Sequence, residues 1–343
     1  MSEAYITING RKIGVGYPVY IIAEIGINHN GSLELALDMI RAAKQCGADA
    51  VKFQILTSDR CYTRQSPSYE IFRKIEFKKL EWKIIFDLAS SLGIDCFATF
   101  VDRRDIVDFS EFTAPAVKVS SSNVTNIPLL ESIAQLGVPV LLSSGMSELS
   151  ELKEAVDTLR AQGQKEIAIF QCTSLYPAPL NSLNLRVIGM LRTEFPDCPI
   201  GFSDHSQGIL GALTSVALGA TLIEKHFTID RALEGPDQCF SSNPREMTEL
   251  VEAVRGVEAA LGSSVKAPTS EERAVRGRLR RTIVALRNIS PGEILSEENI
   301  GLKRSNTFGL EPKHYRAVLG RKVKSPLKND MPLQAEMVES ESV

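Results

Sequence analysis

The feature that most constrains the fold is a pattern that repeats eight times between residues 19 and 261. Each time, a short run rich in β-branched residues is followed by a stretch with apolar residues at helical spacing. The runs are almost continuously apolar, which is typical of parallel strands covered on both faces. Eight strand–helix units predict an α/β fold, a (β/α)8 TIM barrel, with a doubly wound open sheet as the rival. The predicted strands are Val19–Gly26, Asp49–Ile55, Asp95–Phe100, Ala116–Ser121, Val138–Gly145, Ile167–Thr173, Pro199–His205 and Thr221–Thr228.

The helical stretches between these runs follow the strands at short intervals, with one exception. The connection Leu56–Lys79 is long and polar, which favours a lid or substrate loop. The predicted helices begin near Leu33, Leu80, Asp102, Ile127, Glu148, Leu183, Ile209 and Pro244.

A change in composition after the last helix predicts a second domain. We expect a barrel domain over residues 1–262, a polar, arginine-rich linker over 263–281 and a small domain over 282–343. The last part alternates short apolar runs with turns such as Pro291–Gly292, so we expect it to be β-rich. It is close to the lower size limit for folding alone.

Composition excludes several classes of protein. The chain has 39 Lys and Arg against 42 Asp and Glu, a net charge of −3, which argues against a nucleic-acid-binding surface. No run of 18 apolar residues exists, so we expect no membrane span. The first residues lack the apolar segment of a secretory leader. Six cysteines are scattered without a CxxC pair, which is typical of reduced thiols, so we expect a cytoplasmic protein.

Polar residues stand at the C-terminal end of every predicted strand, where TIM barrels carry their chemistry. A single buried serine or threonine commonly bonds only to the backbone, but eight strand ends together predict a binding site. The candidates are Glu24, Lys52, Gln54, Thr99, Lys118, Ser121, Ser143, Ser174, Tyr176, Ser203, His205 and His226.

Lys52 and Lys118 lie on strands predicted to face inward, where an unpaired ammonium is costly. Structural ion pairs could satisfy either lysine alone. With several hydroxyls facing the same mouth, a bound phosphate and carboxylate explain the pattern better.

His205 and His226 end consecutive strands, so we expect them to be neighbours. Imidazole is a common ligand of divalent metals, although a core histidine without a metal is the usual alternative. Glu24 ends the first strand and is placed to act as a base. Asp204 and Glu224 could orient the histidines or be ligands themselves.

Seven motifs occur in an order that resembles the sialic acid synthase family: AEIGINHNG, DAVKFQ, AVKVSSSN, LLSSGM, QCTSLYPAP, GFSDHSQG and EKHFT with GPD. The segment SPGEILSEENIGLKR resembles the antifreeze-like (SAF) domain that follows the barrel in that family. The resemblance covers nearly the whole chain. It implies a phosphoenolpyruvate-dependent synthase of nine-carbon keto acids.

The resemblance also implies a role for each residue. A divalent ion, Mn²⁺ or Mg²⁺, is held by His205 and His226 and polarises the aldehyde of an N-acylated amino sugar, while Glu24 handles the proton of water. Lys118, Ser121, Ser143 and Ser203 contact the phosphate, and Lys52 and Thr99 the carboxylate end. Gln54, Tyr176 and Asp237 contact the sugar. Arg304 is inserted over the mouth by a partner subunit, which implies a domain-swapped homodimer.

Two departures from the family bear on the sugar. Family members usually have Gly-Glu after the serine of strand 4, where this chain has Ser122 and Asn123, so a carboxylate is replaced by a neutral amide. Ser174 stands where some members have asparagine. We expect Asn123 and Ser174 to contact the sugar. N-acetylmannosamine and a diacetamido-dideoxy hexose, the precursors of sialic, legionaminic and pseudaminic acids, both stay open.

Two other readings stay open at this stage. One is another barrel enzyme that uses a phosphate ligand and a metal, such as an aldolase; a Schiff-base aldolase would use Lys52, Lys118 or Lys225. The other is a binding protein that has lost its chemistry. The presence of Glu24, His205 and His226 argues against it.

Overall fold

The computed structural model describes residues 4–339, and the chain divides into two compact units, Met1–Gly262 and Ser263–Val343. In the first unit, eight parallel strands pair in chain order, and the last pairs with the first. That closure confirms the TIM barrel and excludes the open sheet. The barrel strands are β3 Tyr20–Gly26, β4 Ala50–Ile55, β5 Asp95–Phe100, β6 Val117–Val119, β7 Val140–Ser143, β8 Ile167–Cys172, β9 Ile200–Asp204 and β10 Leu222–His226.

Helices connect the strands and begin close to the predicted positions. The long connection Leu56–Lys79, for which no helix was predicted, contains two short helices, α2 Ser58–Cys61 and α3 Pro67–Arg73. Proline at the start of α3, after the cap Ser66, suits a helix N-terminus. The helices are α1 Leu33–Gln45, α2 Ser58–Cys61, α3 Pro67–Arg73, α4 Lys79–Leu92, α5 Arg103–Asp108, α6 Ile127–Ala134, α7 Leu149–Ala161, α8 Val187–Glu194, α9 Leu210–Ala217 and α10 Pro244–Leu261. Single 3₁₀ turns lie at Ser121–Asn123, Leu180–Ser182 and Gln238–Phe240.

An N-terminal hairpin, β1 Tyr5–Ile8 and β2 Arg11–Gly14, was not predicted. Its strands have four residues each, too few for a clear periodic pattern. Ile6, Ile8 and Ile13 are buried in the same apolar cluster as the barrel floor. The hairpin therefore closes the N-terminal end of the barrel.

The interior of the barrel changes from apolar to polar along each strand. Side chains two residues apart point to the same side of a strand, so the side chain two positions after each residue of the apolar floor also points inward, at the C-terminal mouth of the barrel. The floor-to-mouth pairs are Ile22 and Glu24, Ala50 and Lys52, Phe97 and Thr99, Ala116 and Lys118, and Leu222 and Glu224. The strand register alone thus gathers these polar groups at one end.

The second unit has a small core of its own, built around Ile283, Ile300 and Leu333. The strands β11 Arg281–Ala285 and β12 Ile300–Arg304 pair antiparallel. The residues predicted as a linker include helix α11 Ser270–Leu279, capped by Thr269. A short helix α12 Tyr315–Val318 and 3₁₀ turns at Pro312–His314 and Ala335–Met337 complete the unit. Within residues 4–339, no helix is long and apolar enough to cross a membrane.

The hairpin generates a prediction about stability. Ile13 is fully buried, so Ile13→Ala removes apolar contacts and leaves a cavity in the floor. We expect a loss of about 2–5 kcal/mol in the free energy of unfolding, measured as a lower urea midpoint. Val15, which is 37% exposed, is the control, and Val15→Ala should shift the midpoint little. Equal midpoints for the two variants would show that the hairpin does not stabilise the barrel.

Candidate functional site

The mouth of the barrel opens into a cavity of about 780 Å³. Its lining comes from the C-terminal ends of the strands and from the loops that follow them. Of the predicted residues, the cavity brings together Glu24, Lys52, Gln54, Thr99, Lys118, Ser121, Asn123, Ser143, Tyr176, Ser203, His205, His226 and Asp237.

Two lysines and two glutamates that line this cavity form a buried charge network. Lys52 Nζ lies 2.9 Å from Glu24 Oε2 and 3.7 Å from Glu224 Oε2. Lys118 Nζ lies 2.7 Å from Glu224 Oε2 and 4.2 Å from the centre of the Phe170 ring. The lysines therefore have protein partners. Structural ion pairs, the alternative that the sequence left open, thus satisfy both lysines, and their burial alone does not require a bound anion.

The two glutamates differ in how tightly they are held as anions. Burial opposes ionisation of Glu224, but Lys118 and Lys52 together hold its pKa well below the usual range. Ser203 Oγ donates to its other oxygen at 2.8 Å. For Glu24, burial outweighs the opposing effect of Lys52, and the nearby Glu224 charge adds to it, so the pKa of Glu24 is raised. Glu24 is the more basic carboxylate, as a general base requires.

Hydroxyl groups surround the lysines. Thr99 Oγ1 accepts a hydrogen bond from Lys52 Nζ at 3.1 Å, and Ser121 Oγ accepts from the backbone N–H of Gly145 at 3.0 Å. A Cβ atom at Gly145 would lie 2.7 Å from Ser121 Oγ, so only glycine lets the turn after β7 approach so closely. Ammonium and hydroxyl donors on one wall suit phosphate oxygens.

His205 and His226 are neighbours, with ring centres 5.4 Å apart. His205 Nδ1 donates to the carbonyl oxygen of Thr173 at 2.7 Å, because that oxygen can only accept; in the neutral ring, Nε2 is then an acceptor. Burial lowers the pKa of His205, but Cys172 and the Thr173 carbonyl outweigh it, so the pKa is raised. Burial and the neighbouring His205 hold the pKa of His226 well below its usual value, so this ring is neutral.

These two rings fit a divalent metal. His226 Nδ1 is buried and has no hydrogen-bond partner among the described residues; Asp237 Oδ2 lies 3.8 Å away. An unpartnered buried nitrogen is costly unless a ligand uses it. No group of three or more His, Cys, Asp or Glu side chains within residues 4–339 is arranged to hold a metal. Among the described residues, His205 and His226 are thus the two nitrogen donors that would hold such an ion.

The expectation that Asp204 and Glu224 orient the histidines is wrong, because neither forms a hydrogen bond or ion pair with them. Asp204 points to the outer side of the barrel, where Oδ2 lies 2.9 Å from Lys225 Nζ. The reason is the strand period: Ser203 and His205 face the cavity, so Asp204 between them faces away. Glu224 faces the cavity but pairs with the two lysines.

Two predicted residues do not line the cavity. Ser174 borders a neighbouring groove with Ser144 and Met146. Arg304 is an exposed residue at the end of β12 in the second unit. Asn123 does line the cavity, but its amide is occupied within the loop: Nδ2 donates to Ser120 Oγ at 3.0 Å, and Oδ1 accepts from Asn126 at 3.1 Å.

Other lining residues were not predicted. Cys172 ends β8 facing inward, and its Sγ lies 3.8 Å from His205 Nδ1; the two-residue strand period from Phe170 could have revealed it. Arg60 and Tyr62 come from the connection after β4, and Arg60 is tied to the buried Asp105 at 2.7 Å. No periodic signal marks residues in such a connection.

Comparisons with known proteins identify the family of this chain. The model of the NeuB family matches residues 39–266, and the SAF domain model matches residues 280–339. The N,N′-diacetyllegionaminic acid synthase of Legionella pneumophila is 35% identical over 97% of this chain and 98% of its own. The pseudaminic acid synthase of Campylobacter jejuni is 35% identical, over 89% of this chain and 92% of its own.

A solved structure shows the same likeness. The N-acetylneuraminic acid synthetase of Leptospira borgpetersenii, crystallised with citrate, is 35% identical. It covers 79% of this chain and 95% of its own, with a TM-score of 0.76. The resemblance of the motifs to sialic acid synthases is confirmed, and the chain belongs to the NeuB family.

Proposed function

We propose that this enzyme condenses phosphoenolpyruvate with an N-acylated amino sugar and water, releasing a nine-carbon nonulosonic acid and phosphate. Carbon 3 of phosphoenolpyruvate bonds to the aldehyde carbon of the open sugar, the carbonyl π bond breaks, and the aldehyde oxygen takes up a proton and becomes a hydroxyl group. Water adds to carbon 2, and the bond between carbon 2 and the phosphate oxygen breaks. The observation that carries the proposal is the combination, in one cavity, of two buried lysines, several hydroxyl groups, a basic carboxylate and two adjacent histidines.

The lysines and hydroxyls bind the phosphoenolpyruvate. Lys118 on β6 faces the phosphate, together with Ser121 in the turn after β6, Ser143 at the end of β7 and Ser203 on β9. Lys52 and Thr99, hydrogen-bonded to each other, face the carboxylate. Glu224 pairs with both ammoniums in the absence of substrate. Burial disfavours the charged form of each lysine; Glu224 and Glu24 outweigh it for Lys52, whose pKa is raised, whereas Glu224 only partly offsets it for Lys118, whose pKa is lowered.

Glu24 takes the proton of the water that adds to carbon 2. Its raised pKa suits this work, because a very weak base would not accept the proton in the transition state. Lys52 at 2.9 Å and Gln54 Nε2 at 3.3 Å orient the carboxylate.

A divalent ion would be held by His205 and His226. When bound, it polarises the sugar aldehyde as a Lewis acid. Nitrogen donors favour Mn²⁺ over Mg²⁺, which prefers oxygen ligands.

Gln54, Tyr176, Asp237 and Asn123 line the sugar end of the cavity, with Ser174 in the adjoining groove. The three relatives reported above are named for three different sugar acids, so they do not choose among them. Asn123 carries a neutral amide at the position where sialic acid synthases usually have a carboxylate. We therefore favour a diacetamido-dideoxy hexose over N-acetylmannosamine.

Arg304 acts in trans in this proposal: the small domain of one subunit completes the cavity of its partner in a domain-swapped homodimer. The support is its exposed position on a module with a small core, together with the role that the resemblance implies.

The sugar preference has a direct test. Phosphate release with phosphoenolpyruvate should be fastest with a diacetamido-dideoxy hexose. The kcat/KM for N-acetylmannosamine should be lower by a factor of about ten or more, the scale of one hydrogen bond to a charged group. Asn123→Glu should raise the relative rate with N-acetylmannosamine.

The proposed metal site predicts that excess chelator stops turnover and that added Mn²⁺ restores it.

Three outcomes would contradict this reading in different ways. If N-acetylmannosamine were the best substrate, and Asn123→Glu left the ranking unchanged, Asn123 would only stabilise its loop, as its bonds to Ser120 and Asn126 allow. No phosphate release with any amino sugar would overturn the synthase reaction itself. Trapping of substrate on a lysine by borohydride would indicate an aldolase instead.

The role of Glu24 predicts a separation of binding from turnover. Glu24→Gln keeps the size and the contact to Gln54, so phosphoenolpyruvate binding measured by calorimetry should change only a few-fold. Turnover should fall about 10²-fold or more, because the base is lost. Glu166→Gln is the control. Glu166 accepts from the Thr7 N–H at the opposite end of the barrel, so parent kinetics are expected. Parent turnover in Glu24→Gln would make Glu24 a structural acceptor.

The swapped dimer predicts complementation between two inactive chains. Arg304→Ala and Glu24→Gln chains with different tags are co-expressed, and the heterodimers are purified with both tags. About half of the parent activity should return, because one of the two sites then has both intact residues. If the heterodimer were no more active than the Arg304→Ala homodimer and the Glu24→Gln homodimer, Arg304 and Glu24 of the same chain would belong to one site.

A further inference from the structure

A buried ion pair lies behind the two histidines, on the outer side of the barrel wall. Asp204 and Lys225 are register partners on the neighbouring strands β9 and β10. Asp204 immediately precedes His205, and Lys225 immediately precedes His226. The pair therefore joins the two strands one residue before each predicted metal ligand.

The contacts of this pair also reach the backbone beyond His205. Lys225 Nζ lies 2.9 Å from Asp204 Oδ2 and donates a second hydrogen bond to the carbonyl oxygen of Ser206. Asp204 Oδ1 accepts from the Ser206 N–H at 2.9 Å and from its hydroxyl at 2.7 Å. Asp204 and Ser206 flank His205, so both sides of that residue are tied to β10 through one ammonium group.

Burying two charges in apolar surroundings costs free energy, so stability alone does not explain this pair. Asp204 is 1% and Lys225 2% exposed, and the other outward residues of these strands, Ile200, Phe202 and Ile223, belong to the apolar core. A buried ion pair is commonly no more stabilising than apolar residues of similar volume. What the pair provides that apolar side chains cannot is a directional link between two strands.

Helix α9 packs directly onto this cluster. A Cβ atom at Gly211 would lie 3.3 Å from Asp204 Oδ1 and 3.1 Å from Ser206 Oγ, so glycine leaves room for the polar groups. The cluster is thus enclosed between the barrel wall and α9, and it is isolated from the cavity that the substrates enter.

We propose that Asp204 and Lys225 are a positioning pair that fixes the spacing of His205 and His226 for a divalent metal ion. This inference rests on the metal site of the function proposed above. Neither residue touches the metal or the substrates; both act through the backbone of the histidines. Partners that orient metal ligands typically contribute 10- to 100-fold to metal affinity.

The test measures Mn²⁺ binding to the full chain directly, from the electron paramagnetic resonance signal of free Mn²⁺, without substrates. Lys225→Met should weaken Mn²⁺ binding at least tenfold. Because this variant leaves Asp204 buried and unpaired, it can fail to fold. The double variant Asp204→Leu/Lys225→Met removes both charges and should keep a thermal unfolding midpoint near that of the parent, yet it should bind Mn²⁺ equally weakly.

Asp49→Asn is the control for a general loss of stability. Asp49 pairs with Arg11 and Arg255 at the opposite end of the barrel. This variant should lower the unfolding midpoint and leave Mn²⁺ affinity unchanged. A merely structural Asp204–Lys225 pair would behave in the same way.

The outcomes separate this inference from the proposed function. His205→Ala should abolish Mn²⁺ binding. If it does, and the folded double variant binds Mn²⁺ as tightly as the parent, the positioning role is wrong and the metal site stands. If the parent does not bind Mn²⁺, or His205→Ala binds it as tightly as the parent, the metal site fails and this inference fails with it.

Discussion

The pairing of β10 with β3 closes the barrel, and the chemistry of the mouth depends on it. In this register His226 lies beside Glu24, and Glu224 lies beside Ile22. Without closure, the first and last strands would be the two edges of an open sheet. Glu24 and Lys52 at one edge would then be far from Glu224 and His226 at the other. Closure brings the base, the lysines and the candidate metal ligands around one cavity.

The buried charges at the mouth form a balanced set that is ready for an anion. Lys52 and Lys118 share Glu224, whose carboxylate is held ionised by both. Glu24 completes the set, but burial favours its protonated form. Buried charges without partners are strongly destabilising, so the two lysines depend on Glu224. In the proposed function, these same ammoniums bind the phosphate and the carboxylate of phosphoenolpyruvate.

Much of this arrangement could be predicted from the sequence because two simple periods determine it. The period of two along each strand put Lys52, Thr99 and Lys118 on the cavity side, and the eightfold repeat indicated the barrel. The same period, applied to Asp204, predicts that it faces outward between Ser203 and His205. Our expectation that Asp204 contacts the histidines neglected that alternation.

The rest could not be predicted, for physical reasons that differ from residue to residue. The hairpin strands are too short for a periodic signal, and their burial depends on the floor of a barrel that lies far away in sequence. Arg60 and Tyr62 reach the cavity from a connection whose path is set by one tertiary contact, Arg60 with Asp105. The pairing of Lys52 with Glu24 and of Lys118 with Glu224 joins strands that are adjacent in one case and opposite in the other. No local sequence pattern indicates which of these side chains pair across the barrel.

The reaction can be predicted more specifically than the sugar, because the residues assigned to each lie on different parts of the barrel. The residues assigned to phosphoenolpyruvate and water lie mostly on the barrel strands, whose positions follow from backbone pairing. Most of those assigned to the sugar, such as Asn123, Tyr176 and Asp237, lie on the connections after the strands. Asn123 bonds to Ser120 and Asn126 within its own loop, so a change there alters the cavity wall without disturbing a barrel strand. A barrel of this kind can therefore keep one reaction while the connecting loops change the sugar that it accepts.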